Sequence, residues 1–278
     1  VTEITVATPP GRSGADVPDI ILATAAIAGV ETIYTVGGAL AVAAFAFGTE
    51  TVGKVDKIVG PGNLFTTLAK RQVYGIVGID GLFGPTETAV VADASANPAW
   101  VAADLLAQAE HDVLANAILF TPSKELAKAV QIEVGRQLEK LSRAEIIAVS
   151  LADNGGIVLT HDVEQACRLA SDFAAEHTCL AVANIDACLP LLQNAGGLFV
   201  GERSFEVLGD YIAGPSHVMP TGGTARFASP LNVRDFMKIS SIVQLDETTS
   251  RRLSPVAARI ADAEQLSAHA QAARMRMD

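Results

Sequence analysis

Gln108 and His111 close the stretch Ala103-Asp104-Leu105-Leu106-Ala107-Gln108-Ala109-Glu110-His111, in which polar side chains interrupt an apolar helical repeat. Trp100, Ala103, Leu105 and Leu106 recur at helical spacing behind Pro98, a good first-turn residue, and predict a helix from Pro98 to His111. Gln108 and His111 then share one face of its last turn. An amide oxygen beside an imidazole can hold a borderline cation such as zinc if other N/O ligands join them. The alternative is a solvated helix end, with His111 favoured by the C-terminal dipole.

The other histidines divide by their neighbours. His161 follows Thr160 at an expected helix start, which suits capping or solvation. His177 stands beside Glu176 between a helix and a strand, where a carboxylate and an imidazole can act as an acid/base pair. His217 lies in a loop, 209–223, dense in glycine, proline and polar groups, suited to a binding site or to a structural turn. His269 shares a terminal helix with Glu264, whose plain reading is a solvated face. Gly60-Pro61-Gly62-Asn63, between a strand and a helix, can bring backbone amides close to a phosphate or form a tight turn.

The elements that must position these groups alternate between strand and helix. Ile4–Thr8, Ile33–Val36 and Val55–Val59 read as strands, with helices from Asp16 to Ala28, Ala39 to Phe47 and through Val73. After the turn formers Gly81–Pro85, strands at Thr88–Ala92, Ala117–Phe120, Gly155–Leu159, 180–182 and 198–200 alternate with helices at Pro98–His111, Lys124–Leu141, Asp162–Ala174 and near Pro190. A turn-rich region with Gly209, Gly214 and Gly222 follows, and beyond Asp246 the chain reads as mostly helix, including Val256–Met277. This pattern predicts an α/β fold with mostly parallel sheets and a helical C-terminal tail. The abrupt first strand, with no methionine before it, predicts a fragment or a processed chain.

Of 278 residues, 50% are hydrophobic and 18% charged, which argues against disorder. No apolar run is long enough to cross a bilayer. A net charge of −11 without Lys/Arg clusters argues against nucleic acid as a partner. Cys167, Cys179 and Cys188 lack C-x-x-C spacing and sit among apolar residues, which predicts buried, reduced thiols in a cytoplasm-like compartment.

Several separated segments together resemble the histidinol dehydrogenase family: 55–63, 69–73, 102–111, 217–227 and 263–269. The resemblance covers nearly the whole chain, which is shorter at its N-terminus than family members. It implies one zinc per subunit, held by Gln108, His111, Asp210 and His269, the last supplied by the partner in a homodimer with shared active sites. It also implies Thr86, His217 and Glu264 as substrate-binding residues beside the metal ligands and His177, with Tyr211 nearby, and Asn63 as an NAD contact. The implied reaction is NAD-linked oxidation of L-histidinol through histidinal to L-histidine, the last steps of histidine biosynthesis, in the cytoplasm. His177 is the base and Glu176 activates water for the second oxidation. On this footing residues 1–85 form a partial NAD-binding Rossmann-like domain, 86–231 a second α/β domain carrying zinc and the catalytic residues, and 232–278 a helical arm contacting the other subunit.

The match departs from the family pattern at particular positions. Leu40 stands where glutamine is expected, Thr86 where serine is usual, Ala175 and Thr178 where proline and leucine flank Glu-His, and Ser216 where asparagine is common. Leu40, Thr86 and Thr178 leave room for a sister dehydrogenase acting on another polar alcohol. The short N-terminus leaves room for a non-catalytic zinc-binding remnant.

Overall fold

Short β-branched runs alternating with small-residue helices produce parallel pairing throughout, in a computed structural model that describes residues 1–11 and 16–277. Two units are distinguished, Val1–Phe236 and Met237–Asp278. In the first, β1 (Thr5–Ala7), α1 (Asp19–Ile27), β2 (Thr32–Tyr34), α2 (Gly38–Phe47), β3 (Lys57–Ile58), α3 (Leu64–Val73) and β4 (Gly78–Ile79) come first, with β1 paired to β2 and β3 to β4. Val42, Phe45, Ala46, Val52, Ile58, Val73 and Val77 form their core, with Tyr34 edge-on to Phe45 at 5.8 Å.

The larger part of the unit comprises β5 (Glu87–Ala92), α4 (Pro98–Ala109), β6 (Asn116–Thr121), α5 (Lys124–Leu138), α6 (Ala144–Asn154), β7 (Gly155–Leu159), α7 (Val163–Phe173), β8 (His177–Ala181), α8 (Ile185–Cys188), β9 (Gly197–Val200) and α9 (Glu206–Tyr211). Its five strands are all parallel in the order β7-β6-β5-β8-β9, so the chain reverses direction across the sheet between β5 and β8. Central β5 is covered on both faces, which is why Thr88-Ala89-Val90-Val91-Ala92 reads as a continuous small apolar run. Val90, Ala92, Leu119, Cys179 and Ala181 pack with Leu105, Leu106, Val130 and Ile147 of α4, α5 and α6. Ala89, Val91, Phe120 and Leu180 face Ala166, Cys167, Ala170 and Cys188 of α7 and α8. A fully buried leucine such as Leu106 or Leu119 contributes roughly 1.5–3 kcal/mol.

At the carboxyl rim of this sheet four helix starts are closed by a capping side chain, while α9, preceded by Phe205, has none. Asn97, Ser123, Asp162 and Asn184 accept from the amides of Ala99, Leu126, Gln165 and Ala187. His161 is exposed and precedes the capping residue, Asp162.

The structure corrects several expected boundaries. α4 ends at Ala109 with Glu110 as its C-cap, so His111 lies beyond the helix rather than on its last turn. α5 stops at Leu138 and α6, not anticipated, leads into β7; it buries only Ile147 and Ser150, too few positions for a clear period. Strand β8 begins at His177 itself, and the supposed loop around Gly209 contains α9. In the second unit, the expected run from Val256 to Met277 is two helices, α10 (Glu247–Ala263) and α11 (Ser267–Arg274). Gln265 takes φ 60° between them, and the Leu266 amide donates to Ala261 O at 2.8 Å, a left-handed helix stop. Among the described residues no helix is long and apolar enough to cross a membrane.

Candidate functional site

The polar groups collect at the amino ends of β5 and β8, the rim opposite the carboxyl ends where open parallel sheets usually bind ligands. Thr88 and His177 are register partners on these two strands and lie on the same face as Cys179. Ala174, left-handed at φ 55°, closes α7 and turns the chain through Ala175 into Glu176 and His177. Gly196 donates to Ala175 O, and a Cβ there would lie 2.5 Å from Glu176 O, so only glycine lets β9 approach this closely. Gly209 has the same role on α9, where a Cβ would sit 2.4 Å from Phe199 Cε1. That close approach brings Glu206 and Asp210, one helical turn apart, onto the sheet face.

His177 is 4% exposed, stacked on Phe199 with ring centroids 5.7 Å apart, and its Nε2 lies 3.3 Å from Asp210 Oδ1. Nδ1 is enclosed without a hydrogen bond, 3.7 Å from Glu176 Oε2. Burial works against the charged ring, but the Asp210 hydrogen bond and the charges of Glu206, Glu176 and Asp210 outweigh it and push its pKa up to about 9. Burial raises Glu176 to about 7 against the opposing pull of His177 and a Thr86 hydrogen bond. Asp210 feels burial first, but the hydrogen bond from His177 and the charges of His177, His111 and His217 hold it below the ordinary carboxylate range. The arrangement can therefore keep one carboxylate ionised, a second near neutrality, and an imidazole poised between them for proton transfer.

Gln108, 1% exposed, is the penultimate residue of α4, and its Oε1 accepts from Thr86 Oγ1 at 2.9 Å. His111 is exposed just beyond, at the helix end whose dipole favours positive charge. His217 is exposed too, in a loop tied to the start of β5 through Thr221 Oγ1, which accepts from the Gly84 amide, and through the Gly222 amide, which donates to Glu87. The first unit thus brings Thr86, Gln108, Glu176, His177 and Asp210 together, with the charges of His111 and His217 within reach of Asp210. His269 on α11 and Glu264 at the C-cap of α10 belong to the second unit and are exposed.

Among the described residues no three His, Cys, Asp or Glu side chains gather closely enough to hold a metal ion, so the expected zinc set depends on the Gln108 amide and on His269. The donor types fit such a cation: Gln108 offers a buried amide oxygen, His111 an imidazole just past the end of α4, and Asp210 a carboxylate held ionised.

On the first sheets, Asn63 caps α3, its Oδ1 accepting from Thr66 N at 3.1 Å. A Cβ on Gly62 would lie 2.6 Å from the Thr66 side chain, so the Gly60–Asn63 turn hugs the helix start. Buried Lys70 pairs with Asp80 and donates to Gly60 O, while Asp80 accepts from the Gly60 amide at 2.7 Å, which stiffens the turn. An exposed turn held this way at a helix N-terminus fits a dinucleotide phosphate. Leu40, on α2, is 75% exposed and offers no polar atom.

Residues that sequence reasoning missed are Glu206, Thr88 and Asp104. Glu206 and Asp210 carried a usable signal in their spacing of four, but Gly209 between them read as a turn.

The family profile described as histidinol dehydrogenase matches residues 1–277. A histidinol dehydrogenase of Dehalococcoides mccartyi (strain CBDB1) is 50% identical over 278 residues, all of this chain and 64% of the relative. One from Moorella thermoacetica is 53% identical over 276 residues, 99% of this chain and 65% of the relative. The crystal structure of histidinol dehydrogenase from Elizabethkingia anophelis matches with a TM-score of 0.91 at 38% identity, covering 99% of this chain and 63% of that one. The chain therefore spans a little under two thirds of the length of these relatives.

Proposed function

Since the chain belongs to the histidinol dehydrogenase family, we propose that it takes part in the NAD-linked, zinc-dependent oxidation of L-histidinol to L-histidine through histidinal. The observation that carries this reading is the pairing of Glu176 and His177 at the start of β8, enclosed beside Asp210 and Gln108. Gln108, His111 and Asp210, with His269 of a second copy, are the residues that would hold zinc, which when bound orients the substrate's amine and imidazole. Asn63 and the Gly60–Asn63 turn are the groups that would meet NAD, which accepts the hydride in each oxidation.

His177 performs the first proton transfer. Its Nδ1 is enclosed beside Glu176, so the alcohol proton enters at Nε2, on the Asp210 side, as hydride leaves the carbinol carbon. With Asp210 hydrogen-bonded to it the ring is held charged; it becomes a base when Asp210 turns to another partner. Glu176, raised to about 7 by burial, exists in both protonation states near neutrality, which suits removal of a proton from the water that attacks the aldehyde. Thr86, hydrogen-bonded to Gln108 and close to Glu176, and His217 are the further groups that would meet the substrate.

The test follows NADH formation from L-histidinol by the zinc-loaded chain. Two NADH per histidinol and loss of rate by about 10²-fold or more in His177→Ala support the reading. NADH from another polar alcohol and none from histidinol would favour the sister dehydrogenase instead; zinc binding without turnover of either would favour a non-catalytic protein.

A further inference from the structure

Phe199 is half-buried on β9, an edge strand, yet two glycines make room for its ring. In register, His177 of β8 faces Gly197 and Cys179 faces Phe199, which sets Phe199 diagonal to His177 on one face of the sheet. Diagonal neighbours lie within reach of an aromatic ring, provided the place between them is open. Gly197 leaves it open: a Cβ there would lie 3.2 Å from Phe199 Cε2 and 2.7 Å from Met219 Sδ. The ring folds back over Gly197 onto the imidazole as an offset stack, 5.7 Å between centroids and 30° between planes. From the other side Gly209 admits α9 to the ring edge, with Asp210 next in the chain.

A working imidazole is ordinarily oriented through the ring nitrogen that does no chemistry, by a hydrogen bond to a carboxylate or carbonyl. His177 has no such bond. Its Nδ1 is buried without one, and Glu176 Oε2 at 3.7 Å is beyond hydrogen-bonding distance. Its Nε2 reaches Asp210 Oδ1 at 3.3 Å, but Nε2 is the atom that receives the substrate proton, so this contact is given up during turnover. The flat face of Phe199 is then the contact that resists rotation of the imidazole about its Cβ–Cγ bond. Leucine would serve as well for plain packing at an edge strand; space cleared by two glycines for a ring points to the imidazole as its purpose. We propose that Phe199 is the positioning residue of His177: by stacking it holds the plane of the imidazole and keeps Nε2 aimed at the substrate alcohol while Asp210 is engaged elsewhere. The assignment rests on the reading of His177 as the base given above.

The experiment uses the full chain, zinc-loaded, with L-histidinol and NAD, and compares wild type with Phe199→Leu by steady-state kinetics and crystal structures. Phe199→Leu is expected to lower kcat about 10- to 100-fold. KM for histidinol and zinc affinity, the latter read against a chromophoric chelator, change little, as befits a group that acts on the moving proton rather than on binding. Its crystals show the His177 ring turned from its wild-type plane. In the His177→Ala background Phe199→Leu produces no further loss, because its effect passes through the imidazole. A His177 ring that keeps its plane, an unchanged kcat, or an equal loss of kcat with and without His177 overturns the assignment. So does a rise in KM or a fall in zinc affinity that accounts for the whole effect. If Phe199→Leu does not fold, Phe199→Met, whose flexible chain can fill the vacated space, decides by the same measurements. A wild-type chain that does not turn over histidinol sinks the reading of His177 as base alone, and the plane of its ring in the variant crystals still decides the role of Phe199.

Discussion

His177 Nε2 and Asp210 Oδ1 meet at 3.3 Å across 33 residues of chain, joining the first residue of β8 to the last turn of α9. Of the influences that raise the imidazole pKa this hydrogen bond is the largest, and it acts against burial. Asp210→Asn is expected to bring His177 down from about 9 toward or below its ordinary value, as burial is left less opposed. Ring proton shifts followed by NMR across pH measure it, and an unchanged midpoint would show that the other carboxylates suffice.

Gly209→Ala tests how closely α9 must approach. The added methyl would sit 2.4 Å from Phe199 Cε1, so helix or ring has to move. A loss of about 1–3 kcal/mol in stability is expected, with Asp210 drawn away from His177. Phe199→Leu in the same chain should recover part of both, read by urea denaturation and by the His177 titration.

Thr178 Oγ1 is buried without a hydrogen-bond partner. Thr178→Val keeps the shape and removes the stranded hydroxyl. A gain of about 1–2 kcal/mol is expected in urea melts, and a variant less stable than wild type would mean that the hydroxyl is satisfied in solution.

Asp104 is pushed up to about 7 by burial and by the charges of Glu206 and Glu202. In the unfolded chain it titrates near an ordinary carboxyl, so the folded chain holds this proton to higher pH than the unfolded one does. Its contribution to stability is therefore least unfavourable at acid pH and worsens as pH rises from about 4 to about 7, by at most roughly 4 kcal/mol. Asp104→Asn should stabilise the chain at about pH 8 more than at about pH 5 in paired thermal melts. Equal shifts at both would remove Asp104 as the titrating group.

The alternation of strands and helices was legible because β5, β6 and β8 are short apolar runs between turn formers, and the α4 segment displayed its period and its proline start. Less visible was whatever depends on contacts between distant segments. α6 shows little of its pattern because it buries a narrow stripe. α9 was hidden because Gly209, chosen for contact with Phe199, has the composition of a loop. For the site, Gln108, Glu176 and His177 stood out by type, while Glu206 did not, since a lone glutamate in sequence looks solvated until Thr88, Cys179 and Gln108 are seen around it.

Asn97, Ser123, Asp162 and Asn184 close four helix starts at the carboxyl rim of the five-stranded sheet, away from Glu176 and His177 at the amino rim. Loops between strand ends and these capped helices can lengthen, accept a tag or diverge in composition without disturbing proton transfer, so long as the four capping side chains are retained.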